Sequence, residues 1–140
     1  MGKINFGRVL LGGLVAGLVI NSGEYLLNGV VLAKQMEDTF RKMNVPGPGG
    51  NFIAIAVTLT FVLGIVIVWL YALIRPRLGP GPKAAIVAAL IAWFSIYLYK
   101  GTLNGLLFAI PLNSMLIAFA WGLVAYVLGA IAGAWVYKEV

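Results

Sequence analysis

Four long apolar runs, separated by short polar segments, dominate the pattern of the chain. The runs cover residues about 9–34, 52–74, 84–110 and 114–137, and the polar segment 35–51 separates the first two. Each run is long enough to cross a hydrocarbon core of about 30 Å as an α-helix. The pattern therefore predicts an all-α integral membrane protein, with four transmembrane helices in a bundle and a single domain over residues 1–140.

The first run carries a stripe of small and polar residues along one helix face. At 100° per residue, these positions fall within about an 80° arc; they are Gly13, Gly17, Asn21, Glu24 and Asn28. The rest of that helix is largely apolar. We expect the stripe to face other helices, because polar side chains are costly against lipid.

The chain resembles itself at an offset of 76 residues, as in a tandem repeat of two helical hairpins. Residues 14–33 and 90–109 share seven identities in twenty aligned positions, including Leu-Asn-Gly at 27–29 and 103–105. The repeat predicts that the third helix continues past Lys100 to residue 110, where Pro111 ends it. It also predicts a pseudo-two-fold axis along the membrane normal.

Small residues predict where the helices pack closely. Besides Gly13 and Gly17, the candidates are Gly64 on the second helix and Gly129 and Gly133 on the fourth. Trp93 aligns with Gly17 in the repeat, so the two positions have complementary bulk. We therefore expect Trp93 to pack over the surface of Gly13 and Gly17.

The same alignment places Glu24 opposite Lys100, and each is followed four residues later by asparagine. We expect an ion pair that joins the two hairpins, within an intramembrane polar centre of Glu24, Lys100, Asn21, Asn28 and Asn104. An ionisable residue deep in a helix indicates a functional site by default. Two roles for Glu24 stay open: a contact that only fixes helix register, and a site linked to a proton or ligand.

Composition and charge restrict the class and suggest the orientation. The chain is 62% hydrophobic and only 10% charged, without Cys or His. Of its ten Lys and Arg residues, six lie on the side of both termini and three on the other side, with Lys100 deeper. By the positive-inside rule, we expect both termini in the cytoplasm, in a bacterial inner membrane. The net charge of +6 marks membrane sides rather than a nucleic-acid-binding face.

Enzyme machinery is nearly absent from the sequence, so we expect neither catalysis nor a cofactor. Without His or Cys, the usual bases, nucleophiles and soft metal ligands are missing. Aromatic residues near mid-membrane could form a quinone or cofactor site, although in a bundle such residues more often serve in packing or as interface anchors; they are Trp93, Tyr97, Tyr99, Trp121 and Tyr126.

Two loops each allow a functional interpretation and a purely structural one. Segment 75–83 carries three cations, but its three prolines remove N–H donors that a phosphate-binding loop needs. Segment 35–51 is either a docking surface for a partner or a solvated loop that covers the helix ends.

Three functions follow as hypotheses. The first is a structural or accessory role, through helix contacts with a membrane-protein partner or another copy of the chain. The second is a small transporter or channel that uses the intramembrane polar centre. The third is a lipid- or quinone-binding protein that uses a groove between the hairpins. Each places the protein in a lipid bilayer.

Overall fold

The computed structural model describes residues 3–138, which are helical throughout apart from short connections and contain no strand. Four of the helices are long and apolar enough to cross a membrane. We call them span 1 (Phe6–Val31), span 2 (Gly50–Leu78), span 3 (Pro82–Leu107) and span 4 (Leu112–Val136). A shorter helix, Ala33–Met43, lies between spans 1 and 2 and is called the loop helix. The protein is thus an all-helical, integral membrane protein.

Caps and prolines set the ends of the spans. The Asn5 side chain accepts a hydrogen bond from the Arg8 backbone N–H at 3.2 Å, so span 1 starts earlier than the apolar run alone suggests. Pro82 stands in the first turn of span 3, where its missing N–H costs nothing. Pro76 does not end span 2, which continues to Leu78 and is closed by Gly79 N–H on Arg75 O at 2.8 Å.

Spans 1 and 3 are not continuous α-helices. Their second halves contain π-helical segments, Leu27–Val31 in span 1 and Phe94–Gly101 in span 3. In span 3, a last α-helical stretch, Thr102–Leu107, follows the π-helical segment. Hydrogen bonds from i to i+5 widen these turns, so side chains in them do not follow the spacing of an α-helix.

Span 1 lies between spans 2 and 4 and touches both of them backbone to backbone. A Cβ atom added to Gly64 would lie 2.5 Å from Gly13 O and 2.5 Å from Gly17 N. On the other side of span 1, a Cβ atom added to Gly12 would lie 2.6 Å from Gly133 O. The absence of side chains at these points lets the helices approach this closely.

The core is concentrated toward the end of the molecule where Asn5, Gly81 and Tyr137 lie, which we call the terminal end. The opposite end, with the loop helix and residues 108–111, is the loop end. Span 3 buries alanines near the terminal end, at Ala84, Ala85, Ala88, Ala89 and Ala92. The buried residues of span 2 all lie between 64 and 72. The spans therefore pack most tightly at the terminal end.

The expectation that Trp93 packs over Gly13 and Gly17 is wrong. Phe61 and Ile65 of span 2 cover that surface, and a Cβ atom at Gly17 would lie 2.8 Å from Phe61 Cα. Because Gly64 lets the span 2 backbone approach closely, the backbone and side chains of span 2 fill the space and leave none for Trp93. Spans 2 and 4 flank span 1, so span 3 lies diagonally across from it. Trp93 instead donates to Phe119 O of span 4 at 2.8 Å.

The glycine contact between spans 1 and 2 predicts a sharp difference between two alanine substitutions in the same helix. Gly64→Ala places a methyl group against backbone atoms that cannot turn away, so it should lower stability by about 1–3 kcal/mol. Gly50→Ala is the matched control, because nothing lies within 4 Å of its added Cβ atom. Unfolding of both variants in detergent checks this. Equal stability of the two would contradict the contact.

Candidate functional site

The candidate site centres on Glu24, which lies in span 1 about 10 Å before the loop end of that span. Its side chain is half-buried. The Tyr97 hydroxyl of span 3 donates to Oε1 of the carboxylate. The Asn28 amide donates to Oε2 at 3.1 Å and also to the backbone carbonyl of Glu24 at 3.1 Å. The carboxylate therefore accepts from two neutral donors, one on its own helix and one from across the molecule.

Span 4 holds Tyr97 in position. The ring lies directly against Gly122, where any side chain would collide with it. It also makes edge-to-face contacts with Tyr126 at 5.4 Å and Phe119 at 6.3 Å between ring centroids. Edge-to-face packing is a favoured arrangement of aromatic rings. The hydroxyl that meets Glu24 is thus carried on a ring of fixed orientation.

Two tryptophans join span 4 to its neighbours around this site. Trp121 of span 4 donates its indole N–H to Gly23 O of span 1 at 2.9 Å, next to Glu24 in sequence. Trp93, which lies one turn before Tyr97 in span 3, donates to Phe119 O of span 4. Indole N–H groups in an apolar setting need such acceptors. The two bonds fix the helices that carry the carboxylate and the phenol.

The π-helical segments adjoin the site on both sides. Tyr97 lies inside the segment Phe94–Gly101, and Leu27–Val31 begins three residues after Glu24. Single π-helical turns inside α-helices are frequent at functional sites, because they re-aim side chains. Here Asn28 and Tyr97 both lie within such segments.

Asn21 extends the site toward span 2. Its amide donates to the backbone carbonyl of Val57 at 3.4 Å, one turn before Glu24 on the same face. The polar stripe of span 1 therefore reaches span 2 through Asn21 and span 3 through Glu24. It faces the space between those two spans.

Lys100 does not form the expected ion pair with Glu24 in the described part of the chain, where Glu24 meets Tyr97 instead. Lys100 and Asn104 are both exposed. The wider turns of the π-helical segment rotate Lys100 off the face that sequence spacing assigns to it. Of the predicted polar centre, the structure brings together Glu24, Asn28 and Asn21 and leaves Lys100 and Asn104 outside.

Spans 2 and 3 separate toward the loop end. Span 2 packs against the first part of span 3, Pro82–Trp93, with no comparable packing on residues 94–107 in the described chain. In the first half of span 2, Phe52 is 62% exposed and Leu59 is 61% exposed. We call the space between residues 50–60 and 94–107 the loop-end cleft. Beside this space, Asn21 of span 1 bonds to span 2 and Glu24 bonds to span 3.

Among residues 3–138, no group of three or more His, Cys, Asp or Glu side chains could hold a metal ion.

Tyr97 belongs to the site, although the sequence analysis placed it only among the candidate aromatic residues. Its alignment with Asn21 in the proposed repeat was the available signal, because that alignment puts Tyr97 on the equivalent polar face.

Comparison with known proteins adds no family to this description. The chain matches no protein-family model, and neither the curated proteins nor the solved structures give a significant match.

Proposed function

We propose that the protein binds organic cations with an apolar tail in the loop-end cleft, as a small membrane transporter or carrier and not as an enzyme. The observation that carries this proposal is the half-buried carboxylate of Glu24, whose partners in the described chain are neutral donors. Lys100, the counter-charge that the repeat alignment predicts, is not paired with it in the described chain.

The electrostatics of the membrane support a ligand at Glu24. An ionised side chain within a transmembrane helix costs about 2.5–3.5 kcal/mol on insertion scales. The Tyr97 hydroxyl and the Asn28 amide orient the carboxylate but cannot cancel its charge. A bound organic cation can do so, because it brings a positive charge next to the carboxylate.

The surroundings favour an organic cation over a metal ion. A carboxylate has about four lone-pair positions, and two are used here, so an ammonium group can still be accepted. Tyr97 places an aromatic ring next to the carboxylate, and such rings attract organic cations. The walls of the cleft at residues 50–60 are mostly apolar and open toward lipid, which suits an alkyl tail.

Replacing the carboxylate tests the function directly. In a neutral detergent, dodecylammonium should bind the protein, and Glu24→Gln should weaken that binding by at least about tenfold, or about 1.4 kcal/mol. Glu37→Gln, on the exposed loop helix, is the matched control and should bind normally. Titration calorimetry measures the affinity of each variant.

Two comparisons separate charge recognition from simple partitioning. Tyr97→Phe keeps the carboxylate charge while removing one hydrogen bond, so cation binding should persist. Dodecanoate has a similar tail and the opposite charge, and it should not bind. If Glu24→Gln binds the cation as well as the unchanged protein does, or if dodecanoate binds equally, the proposal is overturned.

A structural or accessory role is the second candidate, with a helix of a partner or of another copy in the loop-end cleft. The favouring observation is the exposure of span 2 in residues 50–60, where large apolar side chains point outward on several sides. Transmembrane helices usually bury one face against other helices, and a helix of a partner would cover this exposed face of span 2. Light scattering of the detergent-purified particle tests this, since the mass of a single chain would contradict self-association.

We also infer the orientation and the symmetry from the sequence. Both termini lie in the cytoplasm of a bacterial inner membrane, and the four spans form a bundle of two repeated hairpins. The excess of Lys and Arg at the terminal end supports the orientation. A phosphatase reporter inserted in residues 47–50 should be active outside the cell, and one fused at the C-terminus inactive. The reverse pattern would refute the topology.

A further inference from the structure

A cavity of about 340 Å³ opens at the terminal end of the molecule, far from Glu24. Its wall includes Arg75 and Tyr71 of span 2, Gly81 of the turn between spans 2 and 3, and Trp135 and Tyr137 at the end of span 4. Charged, hydroxyl and apolar groups thus meet in one place. The proposed function uses none of them.

Arg75 is the charged group of this cavity. Its guanidinium carbon lies 5.6 Å from the centroid of the Tyr137 ring, and the residue is half-buried. Stacking on an aromatic face orients the planar guanidinium. A guanidinium has five N–H donors in a fixed fork, which matches the oxygens of a phosphate group.

Two tyrosine hydroxyls accompany the guanidinium. Tyr71 accepts a hydrogen bond from Gly81 N–H at 3.1 Å, and Tyr137 accepts one from Asn5 N–H at 3.2 Å. The two rings meet edge to face at 5.9 Å between centroids. Because each oxygen accepts from the backbone, each O–H proton is left to donate. A guanidinium with two hydroxyl donors is a suitable set of ligands for phosphate oxygens.

The surroundings favour a phosphate that belongs to a lipid. Five further cations stand at this end in the sequence, against one acid, Glu139; they are Lys3, Arg8, Arg77, Lys83 and Lys138. Basic residues at a membrane surface attract anionic lipids. Trp135 lines the cavity and is 87% exposed, as tryptophans at the level of lipid headgroups are.

We propose that this cavity binds the phosphate group of an anionic phospholipid, with Arg75 as the main ligand and Trp135 against the glycerol and upper acyl region. Tyr71 and Tyr137 complete the site as hydroxyl donors. The site is independent of cation binding at Glu24, and either proposal can fail without the other.

Lipid retention by the full-length protein tests the proposal. Native mass spectrometry of the protein in neutral detergent, titrated with phosphatidylglycerol or phosphatidylcholine, should show preferential binding of phosphatidylglycerol. Arg75→Gln should weaken that binding by at least about tenfold, as expected for hydrogen bonds to a charged group. Arg77→Gln is the matched control, since it removes an exposed cation two residues away, and should change binding less than about twofold.

Two further variants keep the test decisive if Arg75→Gln fails to fold. Arg75→Lys keeps the charge but loses the planar fork, so it should bind phosphatidylglycerol several-fold more weakly. Trp135→Ala alters an exposed residue and should weaken binding of the lipid. Equal binding of the two lipids, or equal losses in Arg75→Gln and Arg77→Gln, would overturn the site. Displacement of phosphatidylglycerol by millimolar inorganic phosphate would overturn the lipid as its source.

Discussion

The close approach of span 1 to spans 2 and 4 is the constraint on which the other features depend. In lipid, apolar side chains gain little by leaving their surroundings, so helices associate through close van der Waals contact and polar bonds. Gly64 meets the backbone of span 1 between Gly13 and Gly17, and Gly12 meets Gly133. These contacts fix two interhelical distances at backbone separation and leave span 3 diagonal to span 1.

The diagonal position of span 3 explains why a tyrosine makes the polar contact. Only a long side chain can reach Glu24 from there, and Tyr97 has the room because Gly122 lies beneath its ring. The same arrangement leaves spans 2 and 3 apart at the loop end, since small residues hold them together only near the terminal end. Close packing at one end and an opening at the other are therefore two results of where the small residues lie.

The sequence predicts the four spans because hydrophobicity and length alone decide them, and it points to the glycines because small residues permit backbone contact. It does not predict that Trp93 meets span 4 or that Lys100 turns away from Glu24. Both expectations assumed that the spans are regular α-helices. They also assumed that the first helices of the two hairpins, spans 1 and 3, face each other. The π-helical segment Phe94–Gly101 changes the faces, and no residue pattern in it signals i to i+5 bonding. The contact of Tyr97 depends on both departures.

A tyrosine contacts the charged group in both candidate sites, through its hydroxyl in one and through its ring face in the other. Tyr97 offers its hydroxyl proton to a carboxylate, whereas Tyr137 offers its ring face to a guanidinium. At Glu24, a salt bridge would fix the geometry too, but it would also cancel the charge that a ligand could use. A neutral phenol fixes the direction of the charged group without taking up its charge. A neutral partner of this kind suits a binding site, because the charge is held in place and can still attract a ligand that approaches from the membrane.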